Sequence, residues 1–146
     1  MSEETKLKAH DFLAGGRYVQ IATVTQDNKP SLRNIAYVLE GNKIYFLTDK
    51  TTSKFKEIKN NPNVACLISK DEDDWSKTLQ LKVTGKANLE INQIIAKKVL
   101  ELLGEKYPDF KDFPPDPNFV VMCIELESGA LMDNSKGFFI SEGFNF

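Results

Sequence analysis

Histidine and cysteine are nearly missing from this 146-residue sequence: His10 stands alone, and Cys66 and Cys123 are the only thiols. Structural zinc takes four nitrogen or sulfur ligands, which these residues cannot supply, so no metal site is expected. A Ser-His or Cys-His nucleophile would have to be built around His10, in a predicted N-terminal helix, which argues against hydrolysis of that type. The two cysteines lie in separate Val/Ile/Leu-rich runs and read as buried free thiols rather than a disulfide framework. Charge of one sign is also lacking. The 19 basic and 21 acidic side chains leave a net −2 spread along the chain, so there is no basic field for a nucleic acid backbone. No stretch reaches the ~20 apolar residues of a membrane helix, and residues 1–8 are polar with no apolar segment behind them. A cytoplasmic protein with neither nucleic acid nor membrane as partner is expected. No G-x-G-x-x-G follows a strand and no G-x-x-x-x-G-K-S/T occurs, so any phosphate must be held by other means.

The composition, 41% apolar and 27% charged, is that of an ordinary folded protein, and the length suits one domain over residues 1–146. Residues 3–14 place Leu7, Phe12 and Leu13 among charged neighbours, a short amphipathic helix ended by Gly15 and Gly16. Strands are expected over 18–25, 31–39 and 43–48, joined by the turns Asp27-Asn28-Lys29-Pro30 and Gly41-Asn42, the three together forming a meander. A short helix follows over 52–61, with Phe55 and Ile58 on its buried stripe and Asn60-Asn61-Pro62 as its stop. Further strands are expected over 63–69, 78–89 and 119–126. In the second of these Leu79, Leu81, Val83 and Gly85 share a dry face, and Gln80, Lys82 and Thr84 a polar one. A longer helix over 91–103 carries Ile94, Ile95, Val99, Leu102 and Leu103 and ends at Gly104, before a proline-rich connection over 107–117. Six strands with mostly short turns indicate an antiparallel barrel with helices at its rim.

The segment Thr48-Asp49-Lys50-Thr51-Thr52-Ser53-Lys54 joins a strand to a helix start, where free N–H groups, hydroxyls and an ammonium can hold an anion such as phosphate. A plain helix cap by Thr51, Thr52 or Ser53, with Lys54 in water, accounts for the same residues and stays open. Arg33, on the second strand of the meander, is placed to reach an anion at the end of the third, or else is a solvated edge arginine. Gln80 sits on the polar face of its strand, where its amide needs partners: a heteroaromatic ring edge or a cross-strand neighbour.

The order of segments resembles the pyridoxamine 5′-phosphate oxidase-like proteins, the FMN-binding split barrels, over residues 17–137. The resemblance lies in Ile21-Ala22-Thr23-Val24 with its polar turn and Pro30, Arg33-Asn34-Ile35-Ala36-Tyr37-Val38, the run 44–54, Asn60-Asn61-Pro62-Asn63-Val64-Ala65, and Gln80-Leu81-Lys82-Val83-Thr84-Gly85-Lys86-Ala87. It implies a mainly β fold, a six-stranded antiparallel split β-barrel of Greek-key type with peripheral helices. It further implies that Arg33, Ser53 and Lys54, assisted by Thr52, bind the FMN phosphate, and that Asn34, Ile35, Ala36, Leu47 and Thr48 line the ribityl chain and ring. By the same resemblance Gln80 approaches the flavin, reaching the FMN of the other subunit of a homodimer with FMN at the interface, and the tail 132–136 comes near the cofactor.

The arginine- and proline-containing C-terminal signature of the true oxidases is missing, which argues against pyridoxamine phosphate as substrate. Nitroimidazole reductase-like and haem-using relatives rely on a histidine for which this chain has no candidate, and the general stress proteins are closer in size. The reading is an FMN-dependent oxidoreductase passing electrons between a small-molecule donor, such as reduced nicotinamide, and a small acceptor, with no catalytic acid or base assigned. A non-catalytic FMN-binding or flavin-sensing protein, and a deazaflavin-dependent reductase, share the same motifs.

Overall fold

The computed structural model describes residues 3–114 and 116–146. Residues 1 and 2 of the polar N-terminus, and Pro115 of the proline-rich connection, lie outside the described residues. Along the chain come α1 (Glu3–Gly15), β1 (Tyr18–Val24), β2 (Pro30–Ala36), β3 (Val38–Glu40), β4 (Lys43–Asp49), α2 (Ser53–Asn60), β5 (Asn63–Lys70), β6 (Leu79–Leu89), α3 (Gln93–Lys106), β7 (Phe119–Asp133) and β8 (Ser141–Asn145). Short 3-10 turns occupy Trp75–Lys77, Pro108–Asp112 and Asn134–Lys136.

Every strand pair is antiparallel, in the order β2-β1-β5-β6-β7-β4-β3, with β8 added along β7. β2 and β3 stand at opposite ends of this path yet follow each other in the chain with only Tyr37 between them. The sheet must therefore curl until its two ends meet, a barrel closed by chain continuity and open in its hydrogen bonding. The expected fold class is observed, with eight strands among the described residues instead of six. The expected strand over 31–39 is broken at Tyr37, the last strand runs seven residues past residue 126 to Asp133, and β8 lies in the tail.

The predicted meander is corrected by this order. β2 pairs only with β1, while β4 pairs with β3 and β7. The break is held by side chains far away in sequence. The Tyr37 amide donates to Oη of Tyr107 at 3.1 Å, and the Tyr37 hydroxyl donates to the Leu13 carbonyl. A buried amide that has left the strand ladder needs such an acceptor.

The main core fills the barrel, with Val19 and Ile21 of β1, Ile44 and Phe46 of β4, Leu81 and Val83 of β6, and Ile124 of β7 all buried. The alternation predicted for β6 is seen, Leu81, Val83, Gly85 and Ala87 facing in and Lys82 and Lys86 facing out. A register shift between Thr84 and Gly85 bends β6, and Gly85 packs so closely on the Glu125 carbonyl that no Cβ fits there. A second cluster on the outer face joins Val99, Leu103 and Tyr107 to Val38, Tyr45, Val121 and Cys123, so α3 covers β3, β4 and β7. Both cysteines are buried and unpaired, Cys66 in the barrel core and Cys123 under α3.

Two helix details differ from expectation. α1 buries Thr5, Ala9 and Leu13, spaced by four, and leaves Leu7 exposed, because small residues allow the helix to lie close on the barrel. α3 runs through Gly104, which is buried, and stops at Lys106 before Tyr107-Pro108. The proline, with its restricted predecessor, ends the helix in place of the glycine. Among the described residues no helix is long and apolar enough to cross a membrane.

Candidate functional site

β4 leaves the sheet at Asp49 and turns through Lys50 and Thr51 into α2. Asp49 shapes the turn, its Oδ1 accepting from the Thr51 amide at 2.8 Å and from Oγ1 of Thr51 at 2.7 Å, which holds its carboxyl below the usual carboxylate range. Thr52 is the N-cap. Its Oγ1 accepts from the Phe55 amide at 3.3 Å and donates to the Asp49 carbonyl at 2.8 Å. The amides of Ser53 and Lys54, first in the helix, find no acceptor among the described residues. Orphan amides at a positive helix end favour an anion.

Lys54 leans from this turn over the ring of Phe46, its Nζ 5.4 Å from the ring centre. Burial, and then the charge of Arg33, lower its pKa from the ordinary 10.5. No carboxylate lies within 4.0 Å of its ammonium among the described residues. A half-buried cation without a counter-ion is costly unless a ligand supplies the negative charge.

Arg33 is placed differently from expectation. β2 is not hydrogen-bonded beside β4, so the guanidinium does not project along a meander toward the β4 end. It pairs across β1 with Ile21, on the inward face, and reaches α2 from there. Its Nη1 donates to Oγ1 of Thr23 at 3.1 Å, and its Nη2 donates to Oγ of Ser31 at 2.5 Å and to Oε1 of Glu57 at 3.2 Å. Thr23 also donates to Glu57 at 2.6 Å, and this bond, with Arg33 adding to it, keeps the Glu57 carboxyl below its usual range. Arg33 is thus a buttress fixed beside Lys54 and partly neutralised by Glu57.

A cavity of about 580 Å³ opens beside the turn, within the range of small-molecule and cofactor sites. Asn34, Ile35, Ala36, Leu47, Thr48, Thr52 and Lys54, all singled out from the sequence, line it. Arg33 stands behind Lys54, and Ser53 is exposed at the helix start. Gln80 does not join them. It lies on the outer face of β6, half-buried between Ser69 of β5 and Met132 of β7.

The opposite wall was not read from the sequence. It consists of Arg17, Tyr18, Leu103, Tyr107, Pro108, Asp109, Phe110, Phe113 and Phe119. The one available signal was the density of aromatic residues in the proline-rich connection. A second cavity of about 540 Å³ adjoins, sharing Leu47, Phe110, Phe113 and Phe119 with the first. The tail residue Asp133 accepts from Lys8 of α1, tying that helix to the end of β7.

A family model described as Pyridoxamine 5'-phosphate oxidase matches residues 6–133. General stress protein 26 of Bacillus subtilis (strain 168) is 34% identical over 131 residues, which span 90% of each chain. The crystal structure of General Stress Protein 26 from Bacillus anthracis str. Sterne superposes with a TM-score of 0.72 at 25% identity, over 98% of this chain and 99% of that one. A heme binding protein from Mycobacterium smegmatis has the same fold, with a TM-score of 0.81 at 14% identity, over 94% of this chain and 56% of that one.

Proposed function

The chain belongs to the pyridoxamine 5′-phosphate oxidase family, and from that premise we propose that it binds FMN at the β4–α2 turn and acts as a flavin-dependent oxidoreductase on a small molecule. The observation that carries this reading is Lys54, a half-buried ammonium that has no carboxylate partner among the described residues, beside two helix-start amides that find no acceptor among them, at the wall of a cofactor-sized cavity. The donor set fits a phosphate monoester, with Lys54 and the Ser53 and Lys54 amides donating and the Thr48 and Thr52 hydroxyls close by.

FMN, when bound, supplies the electron transfer. The protein contributes position and environment. Lys54 and the helix-start amides hold the phosphate end. Arg33, fixed by Thr23, Ser31 and Glu57, adds positive potential behind Lys54. Asn34, Ile35, Ala36 and Leu47 form one wall for the rest of the molecule, and Tyr107, Phe110 and Phe119 form the other. Gln80, outside its own chain's cavity, suits a homodimer in which it reaches the partner's cofactor. A haem reading has less support here. Among the described residues the cavity lining contains no histidine, cysteine or methionine, and Nε2 of His10 lies 3.2 Å from the Gly41 carbonyl on the surface.

Steady-state oxidation of reduced nicotinamide by the FMN-loaded protein, with quinone and nitroaromatic acceptors, tests the oxidoreductase part. Turnover with one of them is expected, whereas FMN binding with no turnover on any acceptor would reduce the protein to a flavin-binding module. The pH profile of FMN affinity tests the phosphate contact. Affinity is expected to rise as the phosphate takes its second charge near pH ~6. It is then expected to fall at alkaline pH as Lys54 loses its proton. Burial, with Arg33 next, lowers the pKa of Lys54 in the free protein, so that fall begins at lower pH than for an ordinary lysine. Flavin fluorescence titrations across the range read both limbs.

A further inference from the structure

The cavity has a second cationic end. Arg17, just before β1, lies six residues before Thr23, the β1 residue that meets α2, a span of roughly 20 Å at the rise of a strand. Its guanidinium stands 4.9 Å from the ring centre of Tyr107, and Nζ of Lys106 stands 5.5 Å from the same ring. Lys106 stands outside the cavity lining, its Nζ donating to the Tyr37 carbonyl at 3.0 Å, and burial followed by the charge of Arg17 lowers its pKa, so Arg17 is the cation that faces the cavity. Neither has a carboxylate within 4.0 Å among the described residues. Asp109 lines this part of the cavity without forming an ion pair with Arg17. Around the guanidinium the walls are aromatic, with Tyr18 and Tyr107 at 6.3 Å between ring centres and Phe110 and Phe113 at 5.8 Å.

A guanidinium at the mouth of an aromatic-walled cavity recognises one chemistry well: a planar molecule that stacks on the rings and presents a carboxylate-like anion to the fork. Lys54 and the helix start are separate from this end and are committed to the phosphate in the reading above. We propose that the Arg17 end of the cavity is the substrate subsite and that it selects planar organic anions, aromatic carboxylates in particular. This rests on FMN occupying the Lys54 end. Tyr107 anchors the subsite, since its hydroxyl donates to the Arg17 carbonyl and accepts from the Tyr37 amide, fixing backbone and ring together.

The test measures binding of 4-nitrobenzoate and of neutral 4-nitrobenzamide to the FMN-loaded protein, in the wild type and in Arg17→Gln and Arg17→Lys. Arg17 is exposed, and thermal melting checks that the variants fold. The wild type is expected to bind the anion roughly tenfold tighter than the amide, a hydrogen-bonded charge being lost in the second probe. Arg17→Gln should abolish that preference, Arg17→Lys should keep part of it, and FMN affinity should change far less than the probe preference in both. Equal binding of the two probes by the wild type, or an undiminished preference in Arg17→Gln, overturns the proposal. So does a loss of FMN affinity in Arg17→Gln with the probe preference intact, which would give Arg17 to the cofactor. If the wild type takes up no FMN, the cofactor reading fails. The same titrations on the unloaded protein then decide the anion subsite by the same criteria.

Discussion

Lys54→Ala is expected to weaken FMN binding by about 1 to 3 kcal/mol, roughly 5- to 150-fold in Kd, the range for hydrogen bonds to a charged group. The ammonium is half-buried, close to the helix-start amides, and has no carboxylate within 4.0 Å among the described residues, so its interaction with a phosphate is little screened. Arg33→Ala should also weaken binding, by up to about the same amount, though by another route. Arg33 is bound to Thr23, Ser31 and Glu57, and its removal leaves the Glu57 carboxylate unopposed beneath α2. The double variant should therefore lose a different amount from the sum of the two, since residues within one network couple. Fluorescence titration of the three variants measures each term. Unchanged affinity in Lys54→Ala would remove the phosphate contact on which the functional reading depends.

Phe46→Ala is expected to cost about 3 to 5 kcal/mol of folding stability, the range for a large aromatic side chain deleted from a packed core. Phe46 is 0% exposed, on β4 between β3 and β7, and belongs to the main cluster inside the barrel. It is also the ring on which the Lys54 ammonium rests. The substitution should thus lower FMN affinity in whatever protein remains folded, and Phe46→Leu should recover much of the stability with less of the affinity. Denaturant unfolding gives the first quantity and flavin titration the second. A loss below about 1 kcal/mol in Phe46→Ala would contradict the placement of this ring in the core.

The barrel was legible where local pattern and tertiary partner agree. Residues 79–89 alternate cleanly because one face of β6 is dry, and Gly41, at φ +58, makes the predicted turn. The break at Tyr37 was not legible. Residues 31–39 continue as a plausible strand, and the acceptor that holds Tyr37 apart is a hydroxyl 70 residues later. β8 was missed because Ser141–Asn145 contributes only Phe144 to the core and depends on β7 for its pairing. One half of the cavity followed from the strand-to-helix turn, whose hydroxyls and lysine stand in one short run of sequence. The other half, Tyr107 to Phe119, read as a connection, because an aromatic side chain in a loop gains meaning only from the wall it faces. Arg33 has a setting that the sequence did not show. It sits at the expected position, but the order of strands sends its guanidinium to Glu57 first.

Parallel titration of the purified protein with FMN and with riboflavin, which has the same ring and ribityl chain but no phosphate, tests the central claim most directly. Binding of FMN with a yellow, flavin-type spectrum is expected, at least tenfold tighter than riboflavin, with the difference largely lost in Lys54→Ala. Equal affinity for the two flavins, or no binding of either, would contradict a phosphate-anchored flavin at the turn between β4 and α2.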